Sequence, residues 1–548
     1  MLHKYNLVGT ILVSLMVLVF VSCSDNHKNS DSNREFIRLK GKTFQLADST
    51  FIPLILNYTT TFVKDSLGRL VLGPFVDYEL NQKFENYSKE SIEDQLLGHM
   101  KIIKEMGFNT VRVCLDNDFI LDVEKNKFLL RYYIDDTNVE RFDVVENSRL
   151  ILDAIDDFVA IVHSQDFHLI FLLVPPFCKK VETFTQHLLQ RFSDDPTIMA
   201  YDFFNEPLYF HKKYLGDNHL NKNFPVEVTN QWLSMMRRYA PNQLFTIAFA
   251  EPIDVFHWDP GLIPIDFVQI HSYHPLRFPN EVYWFTHYVD KPIIIGETSL
   301  PAENDSVYYE EQRQFMVESY KLARKWGVSG FGWWTFQEVE HGDFEHSYTG
   351  IINRKGETYS QDSKHKMMGT FKPAVYEVKR LESLFQNDTS SYKRPINYFN
   401  MLGYDNYLTR GKVVDSKNNP IEGALIRGWT KYWKVGMNTY TDENGEFTLY
   451  SNDIPMYFSI SAVGKRLVRI LDTVLTYRPV TTAALDEASF PYRSLEYHSI
   501  SFIPFLKYRI KNKDEKIKTD RYIFNFDSTR FFNYKMEANL GVIQLEGI

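Results

Sequence analysis

Two glutamates of this 548-residue chain stand at the ends of short apolar runs. Glu206 follows residues 200–204 in Asn205-Glu206-Pro207, and Glu297 closes Ile293-Ile294-Ile295-Gly296-Glu297. A carboxylate at the end of a buried strand costs desolvation free energy unless it is paired or put to work. Two such groups brought together can cleave an acetal. One carboxylic acid protonates the leaving oxygen, and the other attacks the anomeric carbon or activates water. Residues that serve this chemistry end other apolar runs. In His271-Ser272-Tyr273-His274, alternation along a strand puts His271 and Tyr273 on one side, both able to hydrogen-bond a carboxylate. Arg112 offers a planar fork of donors. Asn57 closes the first run, and Trp333-Trp334 supplies a flat apolar surface for a sugar face. Adjacent strand residues face opposite ways, so one tryptophan is expected to pack and Trp334 to line the site.

The elements that must position these residues are legible as periodic text. Strand-like runs occupy 52–57, 110–115, 169–174, 200–204, 244–249, 267–271, 293–296 and 330–334. Helical patterns lie between them at 92–106, 145–164, 181–192, 226–239 and 310–326, with another at 372–385. The clearest puts Ile151, Ala154, Ile155, Phe158, Val159 and Val162 on one helical face. Apolar strands flanked by amphipathic helices imply a parallel sheet covered by helices. Eight such units make this an α/β protein with a (β/α)8 TIM barrel over 36–386, its chemistry at the C-terminal ends of the strands. Periodicity alone leaves a doubly wound open sheet as the alternative. Residues 387–408, with Asn387, Asp388, Ser390, Ser391 and Pro395, read as a linker. Residues 409–548 alternate like strands and read as a smaller all-β sandwich, with Asn444-Gly445 the strongest hairpin signal.

Asn-Glu-Pro after the fourth strand, His-x-Tyr on the sixth, Gly-Glu after the seventh and Trp on the eighth resemble a clan A glycoside hydrolase. The nearest likeness is to family five, the cellulase and β-mannanase family. Lys42-Thr43-Phe44 through Phe51-Ile52-Pro53-Leu54 resembles the hairpin that opens such barrels. The resemblance implies a retaining hydrolase of β-linked poly- or oligosaccharides, of the β-glucan or β-mannan class, needing no cofactor and no metal. It implies Glu206 as acid/base and Glu297 as nucleophile. Asn205 would bind the sugar 2-hydroxyl, Arg112, His271 and Tyr273 would hold the carboxylates, and Trp334 would stack under the sugar. Asn57 joins the substrate-binding set. The third strand departs from the pattern, running into Val174-Pro175-Pro176-Phe177 where many relatives carry a histidine. Residues 409–462 resemble a carboxypeptidase regulatory-like domain. Two other readings fit the same residues: a non-catalytic glycan-binding lipoprotein on a decayed barrel, and a neighbouring clan A hydrolase with a different β-glycoside. Retention of both glutamates argues against the first.

The net charge of −9 carries no basic excess, which argues against a nucleic-acid partner. Hydrophobic residues at 44% and charged residues at 24% exclude a largely disordered chain. With 3 cysteines there is no disulfide framework; Cys114 and Cys178 read as separate thiols or one pair. The apolar run 7–21 is shorter than the ~20 residues that span a membrane and reads as a signal-peptide core. It ends in Phe20-Val21-Ser22-Cys23 and is followed by polar residues 24–35. This resembles a bacterial lipoprotein signal. It implies a leader over 1–23 with Cys23 as lipid anchor, a tether over 24–35, and an exported protein held at the periplasmic or outer-membrane surface. Gly41-Lys42-Thr43 mimics the end of a phosphate loop but lacks the earlier glycine. Trp429, Tyr432 and Trp433 read as hairpin core or an interface with the barrel, with sugar binding the less favoured role.

Overall fold

The computed structural model describes residues 34–74, 86–114, 119–122, 127–134, 139–145, 148–215, 221–273, 275–305, 307–338, 344–401, 404, 406–481 and 534–548. The leader, Cys23 and His274 lie outside these residues. Eight strands run in chain order: β1 (Leu54–Lys64), β2 (Thr110–Cys114), β3 (His168–Leu172), β4 (Ile198–Asn205), β5 (Leu244–Phe249), β6 (Phe267–His271), β7 (Ile293–Glu297) and β8 (Phe331–Trp333). Each pairs in parallel with the next, and β8 returns to β1 through Phe331↔Leu54 and Trp333↔Leu56. The ladder closes, so the barrel holds and the open sheet does not.

These strands read as continuous apolar runs because both faces are covered. Outward residues such as Val111, Val113, Phe171 and Phe203 share one core with the helical layer. That layer includes α1 (Lys89–Met106), α2 (Ser148–Ser164), α3 (Lys179–Arg191), α4 (Pro207–Leu215), α5 (Asn223–Tyr239), α6 (Arg277–Tyr288) and α7 (Tyr309–Lys325). Ser88 caps α1, its side chain accepting from the Ser91 N–H, and Ile92, Leu96, Met100 and Ile103 form the buried stripe. Each such side chain contributes about 1.5–3 kcal/mol by leaving water. Inside the barrel, Ile55, Ile170, Ala200, Phe267 and Ile294 make an apolar layer at the N-terminal ends of the strands. Phe44, from a three-stranded sheet over residues 38–51, plugs that end, its ring 5.2 Å from Phe267. This is the hairpin expected from the sequence, and it leaves the opposite end open to polar groups.

The structure differs from the sequence expectation in places. Val139–Val145 is a strand, so α2 starts at Ser148 rather than 145. That strand joins Phe119–Asp122 and Lys127–Ile134 in an antiparallel sheet inserted after β2. Strand β1 outruns its expected end because its second half pairs antiparallel with Leu70–Pro74. The 372–385 pattern divides into a 3-10 segment, Pro373–Arg380, and a short helix, Leu381–Gln386.

Among the described residues beyond 406, eight strands follow: β9 (Tyr407–Asp415), β10 (Leu425–Thr430), β11 (Gly436–Tyr440), β12 (Glu446–Ser451), β13 (Pro455–Ser461), β14 (Val468–Ile470), β15 (Arg478–Thr481) and β16 (Tyr534–Leu545). They form two sheets, β12-β9-β16-β15 and β11-β10-β13-β14. Val413, Ile426, Met437, Leu449, Phe458, Ile460 and Leu545 from both sheets share one core. The Asp442–Gly445 turn does not make the expected hairpin. Its local chemistry is as expected, since Asp442 Oδ1 accepts from the Asn444 and Glu446 N–H groups. It passes the chain between sheets instead, because Phe447 and Leu449 are buried from the other side of the core.

The sandwich is docked on the barrel. Trp284 Nε1 donates to the Gly423 carbonyl at 2.9 Å, and Leu425 and Tyr440 join the barrel core. Lys222 Nζ bridges Asp259 Oδ2 and the Ala462 carbonyl, each at 2.8 Å. Residues expected to be a linker pack between the two parts: Arg394 stacks on Tyr440 at 4.7 Å, and Asn280 Nδ2 donates to the Ile396 carbonyl. Cys114 and Cys178 are not joined in a disulfide. Among the described residues no helix is long and apolar enough to cross a membrane.

Candidate active site

Glu206 sits on a turn that the Asn-Glu-Pro sequence dictates. The β4–β5 register slips between Asp202 and Asn205. Glu206 then takes φ +47°, and Pro207 opens α4, where its missing N–H costs nothing. The Glu206 carbonyl accepts from the Tyr209 and Phe210 N–H groups, closing the first turn. A left-handed φ costs a non-glycine residue about 1–2 kcal/mol, so this backbone is held by its surroundings. Glu297, the last residue of β7, lies in register with His271 on β6.

Arg112 on β2 organises the site from below. It is fully buried, and its guanidinium spends its donors on four side chains. Nε and Nη2 both reach Asp202 Oδ2, at 3.1 and 2.9 Å. Nη2 also donates to Asn205 Oδ1 at 2.8 Å, and Nη1 to Asn57 Oδ1 at 3.0 Å and to Glu297 Oε1. The Tyr273 hydroxyl donates to Glu297 Oε2. His271 Nδ1 lies 2.7 Å from Glu206 Oε1 and 3.5 Å from Glu297 Oε2. A side chain at 296 would put its Cβ 3.0 Å from His271 Nε2, so glycine leaves the imidazole its place. One ligand atom from each of Glu206, His271 and Glu297 lies within 4.8 Å of the others. Three such donors can hold a cation, but Arg112 already supplies the positive charge on Glu297.

The two carboxylates have different surroundings. Burial raises Glu206 to about 7, with Arg112 pulling it down and Glu251 adding to the rise. Its side chain is 16% exposed and Glu297 6%, so Glu206 is the more open of the two. Burial drops His271 to about 3 against the pull of Glu297, so the imidazole is neutral at ordinary pH. Burial, then the Glu297 and Glu206 charges, holds the Tyr273 hydroxyl well above its usual value, which keeps it a donor. Burial lifts Asp202 to about 6 even against Arg112, which leaves it ionised above that pH.

Most of the residues singled out from the sequence meet here. Asn57 is fully buried, with Oδ1 on Arg112 and Nδ2 donating to the Gly296 and Trp333 carbonyls. It braces β1 against β7 and β8 and presents nothing to a ligand. Arg112 lies beneath, paired with the carboxylates of Asp202 and Glu297. Trp333 is buried, donating to the Thr349 carbonyl, while Trp334 is half-buried at the end of β8, as alternation predicts. Asp202 and Gln269 were missed, Gln269 Nε2 donating to Asp202 Oδ2 at 2.9 Å. Their signal was a polar residue inside an apolar run at the inward parity of its strand.

A second buried group adjoins Glu206 and was also missed. Arg277 at the start of α6 reaches Glu251 Oε1 at 2.8 Å and Glu281 Oε1 at 2.6 Å. The Tyr209 hydroxyl donates to the same Glu251 oxygen. Burial opposes the Glu251 charge, but Arg277, Tyr209 and Arg427 hold it below its usual value. Arg427 comes from β10, so the sandwich reaches this group.

No family model matches the chain, and no curated protein matches it. Solved structures similar to it include GH5_18 from Streptomyces cattleya in complex with GlcNAc, at 14% identity over 68% of this chain and 86% of that one, with TM-score 0.42. The endo-1,4-beta-mannanase from Rhizomucor miehei is 14% identical over 64% and 100%, with TM-score 0.42. A family 1 β-glucosidase from Thermotoga maritima is 10% identical over 63% and 99%, with TM-score 0.41. The barrel rests on its own strand pairing and not on these likenesses.

Proposed function

We propose that this protein is a retaining glycoside hydrolase of the clan A, family-five type, acting on β-linked poly- or oligosaccharides of the β-glucan or β-mannan class. The observation that carries the reading is the approach of the Glu206 and Glu297 carboxylates, with ligand oxygens within 4.8 Å, at the C-terminal ends of β4 and β7. Retaining enzymes hold their two carboxyl groups about 5–5.5 Å apart, whereas inverting ones leave room for a water. Glu297, held by Arg112 and Tyr273, attacks the anomeric carbon. Glu206, protonated up to about pH 7, gives its proton to the leaving oxygen. Glu206 then takes a proton from the water that releases the glycosyl-enzyme. Asn205, its carbonyl fixed by Arg112, keeps its NH2 for the sugar 2-hydroxyl. Trp334 stacks under the sugar.

Incubation with a panel of β-glucans and β-mannans, followed by proton NMR of the first product, tests this. The β-anomer appears first if the reading is right. An α-anomer as first product, or no cleavage across the panel, overturns it. The N-terminal proposal is a lipoprotein anchored through Cys23. Cys23→Ala then abolishes acylation and moves the protein from the membrane to the soluble fraction; unchanged membrane association would show another anchor.

A further inference from the structure

One face of a sandwich sheet runs from the barrel to an open aromatic shelf. On β10, Ile426 points into the sandwich core, so Leu425, Arg427 and Trp429 face the other way. Across the ladder to β13 they pair with Ser461, Ser459 and Tyr457. Leu425 is packed in the barrel core, Arg427 comes next, and Trp429 follows at the far end. The Arg427 guanidinium lies over the Trp429 ring at 4.3 Å. The Trp429 ring covers Gly436 so closely that a Cβ there would sit 2.8 Å from it. Trp433 stacks on Tyr457 at 4.4 Å with planes 7° apart, and its ring centre is 5.9 Å from Trp429.

Trp433 remains 50% exposed and Tyr432 69%. Both take left-handed φ, +57° and +60°, in the loop that joins β10 to β11. The sequence favours hairpin core or interface for these rings; Trp429 packs over Gly436 of the hairpin, whereas Tyr432 and Trp433 are exposed. The sheet that carries the shelf reaches the residues beside Glu206, where Arg427 acts on Glu251. Strands β10 and β13 pack on the 3-10 turn Pro252–Phe256, directly after Glu251. Glu251 binds Arg277 and the hydroxyl of Tyr209, three residues beyond Glu206 and itself 53% exposed.

We propose that the sandwich extends the substrate cleft on the leaving-group side, with Trp433, backed by Tyr457, and Tyr432 stacking on the sugars of a β-linked chain cut at Glu206. This rests on the hydrolase reading for the cut, but not for the binding. Sugars present one flat C–H face, and an exposed ring carrying hydrogen-bonding neighbours suits it. Arg427 and Ser459, on the same face between shelf and barrel, offer donors to hydroxyls passing between the two.

The test uses the full chain, glucomannan (which carries both β-glucosyl and β-mannosyl units) and dinitrophenyl β-glycosides. Trp433→Ala is expected to raise KM on glucomannan about tenfold, the loss of one stacking contact, with kcat held. The variant-to-parent KM ratio falls to near unity on dinitrophenyl glycosides, which are too short to reach the shelf. Trp433→Phe, which keeps a flat ring, recovers most of the loss, and an unchanged thermal midpoint excludes misfolding. Retardation in a glucomannan gel reads the binding without catalysis. If the parent hydrolyses glucomannan but Trp433→Ala matches it in KM and retardation, the shelf proposal is overturned and the hydrolase reading stands. If the parent is retarded through Trp433 but cleaves nothing, the hydrolase reading goes and the shelf remains. Neither cleavage nor retardation overturns both.

Discussion

One imidazole stands between the two acids: His271 Nδ1 lies 2.7 Å from Glu206 and 3.5 Å from Glu297. Burial keeps that ring neutral to about pH 3, so it contributes one proton on one nitrogen and no charge. A neutral ring ties the pair together without adding charge to it. The positive charge of the site comes from Arg112 instead, on the Glu297 side. This asymmetry sets a Glu206 raised by burial apart from a Glu297 paired with Arg112.

The pH profile follows from Glu206. It must be protonated to assist departure, so kcat/KM should fall above about pH 7, by about tenfold per unit. Burial is the main cause of its raised pKa, and the Glu251 charge adds to it. Glu251→Gln removes that charge, makes ionisation of Glu206 easier and moves the basic limb to lower pH. A limb that stays put or moves up in the variant would contradict the electrostatic account.

Stability carries the same signature. The folded state raises Glu206 from 4.5 to about 7. Protonated Glu206 therefore favours folding below the unfolded pKa, and that contribution is lost as pH rises toward the folded value. Glu206→Gln has no such loss. Its melting temperature relative to the parent should climb between pH 4 and pH 8 on this account. A constant difference across that range would show that the carboxyl is not held as described.

Arg112 should prove indispensable for structure as well as chemistry. Arg112→Ala leaves Asp202 and Glu297 without their shared cation, at a cost of about 3–5 kcal/mol. Arg112→Lys keeps the charge but not the fork that reaches Asn57, Asp202, Asn205 and Glu297 together. Lysine should recover part of the stability lost in the alanine variant but little of the activity. Denaturant unfolding beside kcat/KM measures the split, and a parent-like midpoint for Arg112→Ala would refute the hub.

The barrel was legible because its strands are buried on both faces and bracketed by helices, so apolar runs and helical periodicity coincide with the elements. The runs at 244–249 and 267–271 match β5 and β6 residue for residue. The insertion after β2 was not legible, since short strands such as Phe119–Asp122 carry no period long enough to separate them from loop. At the site, residues next to a turn or a strand end were found, because punctuation marks them. Asp202 and Gln269, one layer deeper, look like faults in an apolar run until the barrel closes and sets them beside Arg112. The Glu251–Arg277–Arg427 group was beyond reach, since it joins three distant segments through the docking of the sandwich. Turn chemistry at Asp442–Gly445 was right locally and wrong about its partner strand, because burial of Phe447 decides the sheet.

The roles of the two glutamates separate by stereochemistry. On the proposed mechanism no glycosyl-enzyme forms without Glu297, so Glu297→Ala should stall on natural substrates. Azide can enter the space left by its carboxylate and attack an activated glycoside directly, giving a glycosyl azide of inverted configuration. Without Glu206 the nucleophile remains. A dinitrophenyl glycoside needs little acid help, so Glu206→Ala should still glycosylate Glu297 and then wait for a base to activate water. Azide needs no base, so it should restore turnover and give the retained product after two inversions. The same nucleophile thus yields opposite anomers from the two variants, read directly by proton NMR. Swapped anomers would exchange the two roles. Parent-rate hydrolysis of the natural substrate by both variants would remove the assignment, and with it the meaning given to the approach of the two carboxylates.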